Sequence, residues 1–228
     1  MSKPLTIVLA AASEHYDVID QVLRESGLSV HRVRNKEELT RELLDAQNPD
    51  WVFFPHWSWK IPAEIFGKFR CVIFHMTDLP EGRGGSPLQN LIVRGRRETM
   101  ISALHCVEEM DAGPVYLKQP LSLLGTADEI LMRAAGMISE MIEKIVSSGV
   151  EPTPQMGEPT YFKRRTPADG DVRPLADMCQ VFDFIRMLDG SGYPPAFLET
   201  EHFRFEFSRA SLKPDCVLAD VKITRKPL

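Results

Sequence analysis

Over the first third of this chain, short apolar runs alternate with stretches whose apolar residues recur at helical spacing, and few folds accommodate that order. Residues 5–11 form an apolar run of strand length. Residues 17–25 carry Val18, Ile19, Val22 and Leu23 at helical spacing, and Gly27 supplies the stop. The pattern continues with a strand at 30–33 and an amphipathic helix at 36–46. Strands follow at 51–54, after the turn Asn48-Pro49-Asp50, and at 71–74. Strand and helix in alternation predict an α/β fold, a Rossmann-like parallel sheet wrapped by helices.

Further along, the sequence predicts a helix over 87–93 opened by Pro87, strands at 99–107 and 113–120, and a long helix over 126–147 with a capping box from Thr126 to Glu129. The breakers in 151–157 read as a linker. Beyond them, a short helix at 179–188 and alternating strands at 196–208 and 217–223 predict a small C-terminal α+β appendage containing a β-hairpin. The expected division is a catalytic domain over 1–150 and a subdomain over 151–228.

Several function classes are excluded at this level. No apolar run approaches the roughly 20 residues that cross a bilayer, so no membrane partner is expected. The N-terminal segment lacks the basic stretch and cleavage site of a signal peptide, which makes the cytoplasm the expected location. Cys71, Cys106, Cys179 and Cys216 form no CxxC or CxxH pair, so no metal is expected and all four read as buried free thiols. The formal charge of -5 argues against a nucleic-acid partner held by nonspecific charge, while leaving room for a local basic patch.

Two segments carry chemistry. In the first, 74–87, His75 stands at the carboxyl end of a predicted strand, where open α/β sheets bind ligands. Gly82, Gly84 and Gly85 there allow close backbone approach, and a helix begins at Pro87. The second, 108–114, places Asp111 in an Asp-Ala-Gly turn between two predicted strands. An imidazole beside a carboxylate suits proton transfer.

Taken together, His75, Thr77-Asp78-Leu79-Pro80, Arg83-Gly84, Pro87 and Asp111-Ala112-Gly113 resemble, in order and spacing, the formyltransferase family that uses 10-formyltetrahydrofolate. The resemblance runs over about residues 5–210 and is similar, within the family, to the short sugar N-formyltransferases of pseudaminic-acid-type pathways. One departure stands out: the family has an Asn two residues before the histidine, where this chain has Ile73.

The resemblance implies an N-formyltransferase with 10-formyltetrahydrofolate as co-substrate, and as acceptor a nucleotide-linked amino sugar such as a UDP-4-amino-4,6-dideoxy sugar. It implies His75 as base and Asp111 as its support; the oxyanion donor of the missing Asn is either absent or replaced by the amide of Gln89 or Asn90, on the helix that leaves the glycine loop. Folate would meet Trp57, Ser58, Trp59, Leu79, Gly84 and Met110, and the acceptor Thr77, Arg83, Ser86, Lys163 and Arg165. The tryptophans read equally as core, and the run Lys163-Arg164-Arg165 as a solvated surface. A homodimer is implied through the C-terminal element. The alternatives are formylation of methionyl-tRNA or of glycinamide ribonucleotide, or a folate- or nucleotide-binding protein without catalysis.

Overall fold

Within the central sheet the inner strands are almost wholly buried and apolar while the outer ones admit polar residues, because only a strand covered on both faces lacks a solvent side. In a computed structural model describing residues 4–226, these strands are β1 (Thr6–Ala10), β2 (Ser29–Val33), β3 (Trp51–Pro55), β4 (Cys71–His75), β6 (Glu98–His105) and β7 (Val115–Ser122). Their order is β2-β1-β3-β4-β6-β7, with β1, β2, β3 and β4 mutually parallel where they pair. Helices α1 (Asp17–Glu25), α2 (Arg41–Gln47) and α3 (Ala63–Phe66) connect them. Val8, Val33, Val52, Phe54 and Ile65 belong to one buried cluster with Cys71 and Cys106.

The sheet is not wholly parallel as the sequence predicts. β6 pairs antiparallel with β4, His75 opposite Ser102 and Val72 opposite His105. The chain between them, which includes α4 (Pro87–Val93), brings β6 in from the carboxyl end of β4.

The remaining elements are the two-residue strands β5 (Arg83–Gly84) and β8 (Tyr161–Phe162), helices α5 (Ala127–Ser148) and α6 (Met178–Leu188), and strands β9 (Ala196–Glu199), β10 (Phe203–Leu212) and β11 (Val217–Arg225). α5 opens with the expected capping box: the Thr126 N–H donates to Glu129 Oε2 at 2.7 Å and the Glu129 N–H to Thr126 Oγ1 at 3.3 Å.

The chain forms two compact units. The first holds residues 1–84, 100–121 and 132–161 and contains most of the large sheet. The second holds 85–99, 122–131 and 162–228. The cut expected at residue 151 therefore falls inside the first unit, and α4 belongs with the C-terminal elements. In the second unit β9, β10 and β11 form an antiparallel sheet in the order β11-β10-β9. Buried Arg186 of α6 donates from Nε to Asp183 at 2.6 Å and from Nη1 to the carbonyls of Leu123 and Gly125 at 2.6 and 2.9 Å.

The cysteines divide differently from the expectation. Cys71 and Cys106 are buried, but Cys179 is exposed near the start of α6 and Cys216 is half-buried. Burial pushes the Cys106 thiol up to about 12, aided by the Asp111 and Glu108 carboxylates, and pushes the Cys71 thiol up as well, with Cys106 beside it. Thiolate is the reactive form, so these two stay inert at neutral pH. A disulfide-exchange reagent at pH 8 should titrate Cys179 and Cys216 in the native protein and reach the other pair only after denaturation.

Candidate functional site

His75 is the last residue of β4, and its side chain is almost wholly enclosed, 7% exposed. Its Nε2 lies 2.8 Å from the carbonyl of Gly82 in the following loop. A carbonyl can only accept, so Nε2 carries a proton and Nδ1 is the nitrogen at which a proton is gained or lost. Nδ1 faces Asp111 Oδ2 at 3.6 Å, an electrostatic contact longer than a hydrogen bond.

Asp111 is brought there by the loop between β6 and β7. That loop leaves the sheet where the Cys106 N–H bonds to the Cys71 carbonyl, at the opposite end of β4 from His75. Asp111 adopts φ 55°, a left-handed conformation that Asp tolerates better than most residues. Its Oδ2 also accepts the Gly84 N–H at 2.9 Å. Gly113 permits the turn: a Cβ on it would lie 1.8 Å from the carbonyl oxygen of His105. These contacts close the two chemistry-bearing segments onto each other, with the carboxylate 7% exposed between them.

Around this pair, Arg83 is bonded to Glu109 at 3.0 Å and to the Gln155 side chain at 2.9 Å. Gln155 in turn donates to the carbonyls of Asp111 and Gly113. Lys118 of β7 holds the loop after His75 by donating to Asp78 Oδ1 and the Leu79 carbonyl, both at 2.5 Å. Neither Gln155 nor Lys118 stands out in the sequence, because both act on groups far away in the chain.

Other assigned residues fall elsewhere. Thr77, expected at the acceptor, is fully buried, its carbonyl accepting from Ser102 Oγ. The Leu79 side chain is core, clustered with Leu104 and Val115, and Ile73 packs against that cluster where the family carries its amide. Met110 is 65% exposed. Ser86 Oγ accepts the Arg165 N–H at 3.1 Å.

The two amides expected as oxyanion donors are both engaged inside the second unit. Asn90 donates to the carbonyls of Gly85 and Lys163, each at 3.0 Å, which uses both of its hydrogens. Gln89 is 4% exposed, with its Nε2 3.5 Å from the Met187 carbonyl and its side chain bonded to Tyr193. A side chain so placed packs the second unit and has no free donor to offer.

Trp57 and Trp59, at 4.8 Å between ring centroids and edge to face, wall a cleft of about 410 Å³. Leu39 and Pro62 complete its apolar lining, and Lys36, Glu37 and Lys60 stand at it as charges. The Trp57 Nε1 is buried without a partner. Such a cleft suits a flat conjugated ring bearing carboxylates. Ser58 is exposed beside it and does not line it. Among the described residues no group of His, Cys, Asp and Glu is arranged to hold a metal.

Comparison with known proteins adds what geometry alone does not supply. A solved structure titled methionyl-tRNA formyltransferase, from Clostridium thermocellum, is 45% identical and superposes with a TM-score of 0.94 over 97% of this chain and 100% of that one. The chain belongs to the formyltransferase family. Within that family the model for the methionyl-tRNA formyltransferase C-terminal domain matches residues 167–224. The methionyl-tRNA formyltransferase of Sulfurihydrogenibium sp. is 25% identical over 166 residues, 69% of this chain and 53% of the relative. The chain thus spans about half the length of that curated relative.

These matches correct the expected acceptor and partners. The formyltransferase PseJ of Anoxybacillus kamchatkensis, solved with a UDP-linked formamido sugar and tetrahydrofolate, is 17% identical with a TM-score of 0.58, over 69% of this chain and 85% of that one. That likeness is one of fold alone. The nucleotide-sugar reading, and with it the exclusion of a nucleic-acid partner, gives way to relatives named for a tRNA substrate.

The close approach at Gly113 generates a prediction. Gly113→Ala places a methyl group against backbone that cannot turn aside, and should destabilise the protein by about 3 kcal/mol in urea unfolding, whereas Ala112→Gly should cost under about 1 kcal/mol.

Proposed function

We propose that this chain is a 10-formyltetrahydrofolate-dependent N-formyltransferase whose acceptor is the amine of methionyl-tRNA. The observation that carries the reading is the 45% identity, end to end, with a structure titled methionyl-tRNA formyltransferase, in a chain whose His75 and Asp111 stand in contact at a strand end.

The reaction makes a bond from the amine nitrogen to the formyl carbon and breaks the bond from that carbon to N10 of the folate. The amine must lose a proton, and N10 must gain one. His75 is suited to carry that proton at Nδ1, because Nε2–H is fixed on the Gly82 carbonyl. Asp111 places a negative charge 3.6 Å from Nδ1, where it attracts the imidazolium formed in transit. The Trp57–Trp59 cleft, with Lys36 and Lys60 beside it, has the walls and charges for the aromatic and carboxylate parts of folate.

For the acceptor, the second unit supports a polyanion despite the formal charge of -5. Arg94 and Arg96 follow α4, with Arg97 next to them paired to Asp183 at 3.2 Å, and Lys163, Arg164 and Arg165 follow β8. The runs are neighbours: the Arg94 guanidinium lies 4.3 Å from the centroid of the Phe162 ring, and Asn90 bonds to the Lys163 carbonyl. Gly85 packs against Arg164 so closely that a Cβ would lie 2.5 Å from the Arg164 Cβ. Charge summed over the whole chain hides such a patch, and phosphate binding depends on the patch.

The test is transfer from 10-formyltetrahydrofolate to methionyl-tRNA, read as formyl-methionine released after deacylation. His75→Ala should lower kcat roughly 100- to 10,000-fold. Lys163→Glu with Arg164→Glu should raise the KM for tRNA and leave that for folate unchanged. The same pair should flatten the salt dependence of tRNA binding by about one unit of slope for each phosphate no longer neutralised. Folate binding without transfer to methionyl-tRNA would overturn the acceptor.

A further inference from the structure

Residues 151–157 read as a linker in the sequence, yet they carry a side chain with every hydrogen-bonding position filled. Gln155 Nε2 donates to the Asp111 carbonyl at 2.7 Å and to the Gly113 carbonyl at 2.8 Å. Its Oε1 accepts from Arg83 Nε at 3.2 Å and from Arg83 Nη2 at 2.9 Å. A side-chain amide offers two donor hydrogens and two acceptor lone pairs, so Gln155 is saturated.

What it binds is the part of the site least able to hold itself. Asp111 sits at φ 55°, a conformation that a residue with a side chain keeps only where its surroundings impose it. The carbonyls on either side of Ala112 point to one amide, which fixes the peptide planes that aim the Asp111 carboxylate. On its other edge the same amide holds Arg83, the residue before Gly84, whose N–H is bonded by that carboxylate. One side chain therefore ties the loop after β4 to the turn before β7, the two segments that meet at His75.

We infer that Gln155 is a positioning residue for the His75–Asp111 pair: it touches neither His75 nor the Asp111 carboxylate, and acts by holding the Asp111 turn and Arg83 in register. The inference rests on the reading of that pair as the proton-transfer site. Alanine at 155 removes all four bonds. Glutamate keeps the acceptors for Arg83 but turns an oxygen towards the Asp111 and Gly113 carbonyls in place of the donors, which makes it the stronger perturbation of the turn, while alanine is the milder variant for folding.

Displacing a reacting group by about 1 Å costs on the order of 100-fold in rate. Gln155→Glu and Gln155→Ala should therefore lower kcat roughly 10- to 100-fold, with the KM for 10-formyltetrahydrofolate within about twofold of wild type. Because the effect passes through Asp111, adding Gln155→Ala to Asp111→Asn should lower kcat by less than about twofold more. A second readout needs no activity: hydrogen exchange of the Gly84 amide, held by Asp111, should accelerate at least about tenfold in both variants while the Val52 amide in β3 keeps its protection. Effects that multiply in the Asp111→Asn background, wild-type kcat in Gln155→Glu, or unchanged Gly84 exchange would each overturn the inference. Wild-type protein that transfers no formyl group would instead overturn the proposed function, and Gly84 exchange alone would then decide the role of Gln155.

Discussion

The contact on which the site depends is the one the Asp111 carboxylate makes in two directions at once, to the Gly84 N–H at 2.9 Å and towards His75 Nδ1 at 3.6 Å. A carboxylate as enclosed as this one is costly unless its oxygens have partners. Here the partners come from the loop after β4, and the carboxylate comes from the loop after β6. Neither loop reaches this arrangement alone. The glycine loop needs an acceptor for a backbone N–H that no strand satisfies, and the Asp111 turn needs something to hold its left-handed backbone. Adjacent pairing of β4 and β6 in the sheet makes the exchange geometrically available.

That dependence explains why fold and chemistry are separately legible to different degrees. Although the helix expected over 36–46 starts only at Arg41, behind the Thr40 cap, and the single turn of α3 leaves no periodic signal, the strands up to β4 and helix α1 can be read from apolar periodicity within a residue or two, because each is decided by local burial. The capping box at α5 is legible for the same reason, since its partners are three residues apart. The direction of β6 is not legible from its own residues, which look alike in either orientation. It is set by the end of the sheet at which the chain after β4 re-enters, which helix length does not decide, since α2 is as short as α4 and joins parallel strands.

Net charge is a poor guide to the proposed acceptor because it is a sum. A formal charge of -5 describes the chain at long range, but the proposed phosphate binding acts at close range, where Arg94 adjoins the run Lys163-Arg164. Of the run that begins at Arg94, Arg97 is itself paired with Asp183 at 3.2 Å. Two basic runs nearly 70 positions apart in sequence are brought together by α4 and the segment after β8, a proximity no composition can register.

Side-chain amides mislead in a second way, and the reason is general to loops of this kind. Gly84 and Gly85 free the backbone from steric limits, but they leave carbonyls and N–H groups without the partners a strand would provide. Something must satisfy them, and an amide does so with donors and acceptors on one rigid group. Asn90 serves Gly85 and Lys163 in this way, and Gln155 serves Asp111, Gly113 and Arg83. From sequence, an amide close to a glycine loop resembles a catalytic donor, while one 44 positions from the turn it binds resembles nothing at all. The decisive quantity is how many hydrogens each amide has left, and at Asn90 and Gln155 that number is zero.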